Sequence, residues 1–547
     1  MNITSSRAKL VDLLQPGVLA SFIVFAYFFR FLYQFLRART RLASIGFLPG
    51  ARFLCGPSSL LGQLIPPISN ICRTRDWHFR LKHQLHKTYA SDVVSCAQLF
   101  NPKSLVLYVA DASIAKEVLT NRIDFAKPLK MYKTVSILGP NIVGSEFGEW
   151  KRYRRIATPS FGERFNKLAH EETTRITASL FQFWSANGEG DVVKVENVVD
   201  VFVELGLMVV SGAGFGFRFG WGDRDEPPQG HTMTFHKSLS LVLEDRFYRY
   251  HLGDKVRHLW KNGRQSTVAF EELRLHMKDM IEEHRQSMAS GGEETADLLS
   301  NLINGISPER DEEQENQLLQ DELLGNMFII LLAAHETTGH SLGFTLALLA
   351  IHQDIQEEAF NELRKIVPQG ETPTYAHIMS WAYGLATIYE SLRMYPPLSR
   401  VPKCGVNDKV FTTSSTDGKN TPISIPVPAG VDIMVNIAGL HYNPKYWDEP
   451  EVFRPKRFLG TYNRDAFVPF SGGPRVCLGR RYAEIEMLTL LANVVLKYRV
   501  TSTPTGQKET PEQMSQRLLQ WHQGLVTVMP VKVPLTFTAR NPDATRC

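Results

Sequence analysis

The sequence predicts a mostly α-helical body with small β-sheets behind one N-terminal transmembrane helix. Three observations predict it. Long segments repeat their apolar residues at the 3.6-residue period of a helix, strand-like runs are few, and one apolar stretch near the N-terminus has the length of a bilayer core.

The apolar stretch comes first in the chain. Between Val18 and Leu36 only Ser21, Arg30 and Gln34 interrupt it, and a helix of that length reaches roughly 28 Å, about one hydrocarbon core. Arg30 lies toward its C-terminal end and can snorkel to the side that carries Arg37, Arg39 and Arg41, which the positive-inside rule places in the cytosol. No A-x-A-like cleavage site follows, so the stretch is expected to be an uncleaved membrane anchor. Residues 1–17 are then a short luminal tail and 18–36 the anchor. Residues 37–70 form a basic flank and a hinge stiffened by Pro49, Pro57, Pro66 and Pro67, and 71–547 form the catalytic body.

Within the body, helical periodicity marks Ile114 to Leu119, Trp150 to Ala157, Leu168 to Trp184, Phe270 to His284, Leu318 to His352 and Tyr375 to Met394. Ser104 to Val109 and Val431 to Ile437 are the clearest strands. Polar breaks at Ser287 to Thr295, Glu309 to Asn316, Thr412 to Thr421 and Ser502 to Gln513 predict surface loops. The glycine-rich run Ser211 to Phe217 lacks dinucleotide spacing and follows a helical pattern, so a helix end or tight packing is expected there.

Composition narrows the function. The 61 basic and 56 acidic residues leave a net charge of +5, too mild for a nucleic-acid binder. The six cysteines, at 55, 72, 96, 404, 477 and 547, lack C-x-x-C spacing and suggest neither a zinc site nor a disulfide framework.

Four segments carry chemistry. In Phe470 to Gly479 the glycines and Pro474 shape a loop whose backbone N–H groups can point at the Cys477 thiolate, lower its pKa and present one sulfur to a metal. Arg475 supplies a fixed positive charge for a cofactor carboxylate. Glu390 and Arg393 stand three apart on one helix face and can pair. Glu336 and Thr337 interrupt the long apolar helix pattern from Leu318, where a charge is costly and a threonine hydroxyl can bond back to the carbonyl four residues earlier. Trp150 and Arg154 also share a helix face.

The cysteine segment resembles the F-x-x-G-x-R-x-C-x-G motif of the cytochrome P450 family at Phe470, Gly473, Arg475, Cys477 and Gly479. The order of the other motifs resembles that family from Trp150 onward. The resemblance implies haem b (iron protoporphyrin IX) with Cys477 as its axial thiolate, and Trp150, Arg154 and Arg475 on its propionates. It implies a buried charge network of Glu390, Arg393 and Arg457 holding the segment that leads to Cys477. Glu336 and Thr337 match the acid and threonine that deliver protons during dioxygen activation. Ala334 departs from the usual glycine and hints at a narrower groove, and His335 is read as a helix or substrate-facing residue.

The implied activity is insertion of one oxygen atom from dioxygen into a lipophilic small molecule, in secondary metabolism such as terpenoid biosynthesis. Electrons come from NADPH through a cytochrome P450 reductase, with cytochrome b5 as a further partner. Lys151, Arg152, Arg155, Arg480 and Arg481 are the candidates for the reductase docking face. A haem-thiolate isomerase or dehydratase, or a non-catalytic haem sensor, are the alternatives. Pocket walls are expected from Lys130 to Ile142, Leu205 to Phe217, Met327 to Ala334, Leu398 to Pro402 and His522 to Val526.

Overall fold

The computed structural model describes residues 16–53, 77–98, 105–187, 191–221, 226–251, 259, 261–290, 298–304, 315–414, 421–506, 509–524 and 527–540. The expected luminal tail up to residue 15, the expected hinge beyond Phe53, and Cys55, Cys72 and Cys547 lie outside them. The chain forms two units, Met1–Ala126 with Arg400–Asn443, and Lys127–Ser399 with Pro444–Cys547.

The first unit carries the N-terminal helix α1 (Pro16–Ser44) and a six-stranded sheet. The strands run in the order Gly50–Phe53, Val93–Gln98, Leu105–Val109, Asp432–Asn436, Arg400–Gly405 and Phe125–Ala126. Both expected strands are present, from Leu105 and from Asp432. Phe53, Trp77, Leu85, Val94, Cys96, Tyr108 and Met434 pack one core of this unit, so Cys96 is a small apolar residue there. Helix α2 (Ala112–Thr120) starts where Asp111 accepts hydrogen bonds from the Ser113 and Ile114 N–H groups at 2.9 and 3.1 Å, a side-chain N-cap.

The second unit is built of helices: α3 (Phe147–Ala157), α4 (Glu163–Asn187), α5 (Val198–Phe215), α6 (Lys261–Ala289), α7 (Glu315–Ile351), α8 (Ala382–Met394) and α9 (Arg480–Lys497). Helix α5 is apolar and long enough to cross a bilayer, yet most of it is buried and it is a core helix packed against α7. It stops at Phe215, and the Gly216 N–H caps it by donating to the Gly212 carbonyl at 3.1 Å, so the glycine-rich run is a helix end as expected.

Four expectations need correction. Tyr375 to Met394 is two helices, Tyr375–Ser380 and α8, because the chain breaks at Trp381 to bury its indole. That ring lies over Gly384, 2.2 Å from where a Cβ would stand, so only glycine fits the first turn of α8. The break at Ser287 to Thr295 begins inside α6, which runs to Ala289. The break at Thr412 to Thr421 is entered from a strand, Lys409–Ser414, paired with Pro422–Val427. Pro511, inside the Ser502 to Gln513 break, starts the helix Pro511–Leu518, which Thr510 and Gln513 close with a capping box.

Candidate active site

The loop from Val468 to Gly479 turns back on itself before α9. The Ser471 N–H donates to the Val468 carbonyl at 3.0 Å, the Val476 N–H to the Gly473 carbonyl at 3.0 Å, and the Cys477 N–H to the Phe470 carbonyl at 2.9 Å. Gly473 adopts φ +63°, a left-handed conformation that a side chain would strain. Gly479 caps α9 and its N–H donates to the Cys477 sulfur. Phe470 lies under the Arg480 guanidinium, 5.4 Å from ring centre to Cζ.

Water reaches the Cys477 side chain, although protein atoms crowd it enough for desolvation to be the largest influence on its thiol. The sulfur therefore faces a cleft inside the protein. Burial pushes the Cys477 pKa up, and the Gly479 N–H and the charges of Arg154 and Arg480 offset this only in part. The Gly479 N–H lowers it, as the loop sequence leads one to expect, but desolvation outweighs that donor and the net direction is upward. A coordinated metal cation is what deprotonates such a thiol outright.

Trp150, Arg154 and Arg475 meet beside this loop. Arg154 donates to the Val476 carbonyl at 2.9 Å, tying α3 to the residue before Cys477. The Arg475 guanidinium lies 4.2 Å from the Trp150 ring centre. Its carboxylate partner in this structure is Glu146, a residue the sequence reading missed, and it also donates to the Ser145 and Ile142 carbonyls at 2.7 and 3.2 Å. Glu146 directly precedes α3, but one acid next to a helix start carries no sequence signal of its own.

Glu390, Arg393 and Arg457 do come together. Arg393 is bidentate on Glu390, with Nε to Oε2 at 2.7 Å and Nη2 to Oε1 at 2.9 Å, and neither side chain is exposed. Glu390 Oε1 also accepts from Arg457 Nε and from the Arg454 backbone N–H, both at 2.9 Å. Arg457 goes on to the Asp448 carbonyl at 2.9 Å and the Val452 carbonyl at 3.1 Å. The network therefore pins the chain segment from Asp448 to Arg457 to the end of α8.

Glu336 and Thr337 stand on a separate element, α7. From Leu323 to Ala350 that helix is buried along most of its length, but Ile330, Ala333, Ala334, Glu336 and Thr337 are not. Ile330, Ala333, Ala334 and Thr337 are spaced i, i+3, i+4 and i+7, which is one helix face, and Glu336 stands at its edge. An open face in the middle of a buried helix borders an internal cleft. Thr337 Oγ1 donates to the Ala333 carbonyl at 2.8 Å, the back-bond expected of it. His335 points away from that face: it is buried, and its Nδ1 donates to the Leu331 carbonyl at 2.6 Å. It is a buried residue of the helix.

The expected cations differ in availability. Arg152 is paired with Glu322, while Arg480 and Arg481 both reach the buried Glu484 carboxylate at 2.8 and 3.1 Å. Lys151 and Arg155 are exposed on α3.

These residues fit a haem. The donor set is one sulfur backed by an N–H and held in an internal cleft, with an indole and two guanidiniums at its side and a helix face left open for a flat ligand and a substrate.

Comparison with known proteins agrees. A family model described as "Cytochrome P450" matches residues 62–528. The chain is similar to "Cytochrome P450 monooxygenase 124" of Postia placenta, at 38% identity over 504 residues, 90% of this chain and 94% of that one. It is 26% identical over 498 residues to "Cytochrome P450 monooxygenase ORF6" of Penicillium roqueforti, covering 84% of this chain and 83% of that one. The crystal structure of the cytochrome P450DA heme domain shares the fold, with a TM-score of 0.69 and 22% identity over 91% of this chain and 99% of that one. The chain therefore belongs to the cytochrome P450 family, and is a monooxygenase whose cofactor is haem held by a cysteine thiolate.

Proposed function

We propose that Cys477 supplies the thiolate to this haem and that the chain oxygenates a lipophilic small molecule of fungal secondary metabolism, with electrons delivered from NADPH by a separate reductase. The observation that carries the reading is the Cys477 sulfur, enclosed by protein yet reached from a cleft and met by the Gly479 N–H. Haem bound there supplies dioxygen activation and transfer of one oxygen atom to a C–H bond.

The residues of this chain do the remaining work. The Gly479 N–H and the nearby Arg154 and Arg480 charges favour the anionic sulfur. Trp150 and Arg154 take the carboxylate side of the cofactor, and Arg475, held by Glu146, keeps the residues before α3 against the cysteine loop. The face of Ile330, Ala333 and Ala334 is apolar, which suits a lipophilic substrate and excludes water. Most Leu205 to Phe217 side chains are buried in α5 and belong to the packing of the body. Val401 and Pro402 fall in a sheet strand of the first unit, and residues 525–526 lie outside the described ones. Titrating the purified protein with a lipophilic library, followed by product analysis, tests the substrate class. A preference for polar substrates would overturn it.

Thr337, on the open face, holds a proton donor where oxygen is activated. Thr337→Ala is expected to keep haem content and NADPH consumption while product per NADPH falls roughly 100-fold, the low end of the range for losing a positioned proton-transfer group. The missing electrons should appear as hydrogen peroxide. Coupling equal to wild type would remove Thr337 from proton delivery.

Helix α1 is proposed as the endoplasmic reticulum anchor, supported by its exposed Phe22, Phe25, Tyr27, Phe28 and Phe29. Deleting Met1 to Arg41 should move most of the protein from the membrane pellet to the supernatant with haem content unchanged, because the cofactor residues begin at Trp150. A truncated protein without haem would show that anchor and body are not separable. Exposed Lys151 and Arg155, which need not break an internal pair to act, are the proposed core of the reductase docking face.

A further inference from the structure

Away from the haem site, the mid-section of α6 carries a second cluster of possible ligands. Glu272, His276 and Asp279 are spaced i, i+4 and i+7 and share one helix face. His231, in the segment leading to the helix Phe235–His251, lies against that face. Its Nδ1 is 3.1 Å from Glu272 Oε2 and its Nε2 is 2.9 Å from Asp279 Oδ2. One atom each from His231, Glu272 and His276 falls within 4.8 Å of the others.

The outer partners decide what this cluster suits. In the neutral Nε2–H tautomer His231 donates to the Asp279 carboxylate, and Nδ1 then keeps its lone pair. The Met233 carbonyl accepts from His276 Nε2–H at 2.9 Å, which likewise leaves Nδ1. Glu272 is fixed from behind by Thr232, whose N–H and hydroxyl donate to it at 3.2 and 2.9 Å. Every potential ligand thus has one side oriented by a second residue, the carboxylate–histidine arrangement found behind metal ligands. The 3.1 Å between His231 Nδ1 and Glu272 Oε2 is close to the separation, roughly 3.3 Å, of two ligands each about 2.0–2.1 Å from a tetrahedral ion.

We propose that His231, His276 and Glu272 bind one zinc(II) ion, with Asp279 and the Met233 carbonyl orienting the two imidazoles and water in the fourth position. Two imidazoles and a carboxylate are a borderline donor set suited to zinc. The His231 and Glu272 side chains are 7% and 11% exposed whereas Asp279 is 49% exposed, so the ion enters from the Asp279 side. The two rings are stacked, 3.6 Å apart and 4° from parallel. An imidazole lone pair lies in the ring plane, so the ion must splay the rings as it binds. Zinc would then clamp the segment around His231 to α6.

The competing occupant is a proton. An imidazolium at His231 could donate from both nitrogens to Glu272 and Asp279 without any metal.

Zinc binding to the full-length haem protein, first stripped of adventitious metal with a mild chelator, distinguishes the two. The expected result is one zinc per chain beyond the haem iron, with a zinc-edge X-ray absorption spectrum showing two imidazole ligands. His276→Ala should weaken binding at least about 100-fold. Asp279→Asn, a change at a half-exposed second partner, should weaken it ~10–100-fold and decides the matter if His276→Ala does not fold. No stoichiometric zinc, a spectrum without imidazole, or equal affinity in wild type and Asp279→Asn would each overturn the site and leave His231 as a proton-held contact.

Discussion

Replacing Cys477 with histidine is expected to abolish the long-wavelength Soret band of the reduced carbon monoxide complex and to reduce product formation to below ~1% of wild type, a loss of at least about 2.7 kcal/mol of transition-state stabilisation. Histidine remains able to ligate iron, so some haem should be retained and the spectral change separates ligand identity from cofactor loss. The reasoning starts from the loop. Its hydrogen bonds, Ser471 to Val468, Val476 to Gly473 and Cys477 to Phe470, are made by the backbone and survive the substitution. What changes is the atom presented to the cleft: a neutral imidazole replaces an anionic sulfur, and the electron donation that favours O–O cleavage goes with it. A retained thiolate band in Cys477→His would place the ligand on another cysteine. Cys96 and Cys404 are strand residues of the other unit.

Arg393→Ala is expected to cost most of the folded, haem-loaded protein. Glu390 and Arg393 have no exposed side-chain surface, and the substitution removes both of the guanidinium bonds to that carboxylate. Removing one partner of a buried pair typically costs ~3–5 kcal/mol because the other charge stays buried. Against a total stability of about 5–15 kcal/mol this is a large fraction. Arg457 and the Arg454 N–H still reach Glu390, so the loss should fall short of complete unfolding. Arg393→Lys keeps the charge but cannot be bidentate, and should lie between wild type and alanine. Haem-to-protein ratio and melting temperature measure the series. A normal ratio and melting temperature in Arg393→Ala would contradict the structural role of the network.

Much of this was legible from residue patterns because the features are local. The period of the apolar residues located α3, α4 and α7 to within several residues, and the Phe470 to Gly479 spacing located the cysteine loop, since both depend on neighbours along the chain. The E-x-x-R pair was visible as a helix-face spacing, and Arg457 only through the family resemblance. Glu146 was not visible, because its partner Arg475 is far along the chain and only folding brings them together. The break at Trp381 was hidden for the same reason: local periodicity favours one helix, and burial of a large indole over Gly384 outweighs it.

By itself, then, the sequence determined the family, the helical class of the body, the cysteine proposed as the haem ligand and the residues able to pair around Glu390, because these are carried by residue types at short spacings. Tertiary structure alone decided the state and surroundings of those residues. It set the Cys477 pKa upward, since desolvation depends on every atom packed near the sulfur. It opened one face of α7 at Ile330, Ala333, Ala334 and Thr337 while turning His335 away, and it occupied Arg152, Arg480 and Arg481 with internal carboxylates. Burial and charge pairing are sums over neighbours in space, and in a chain of this length most of those neighbours are distant in sequence.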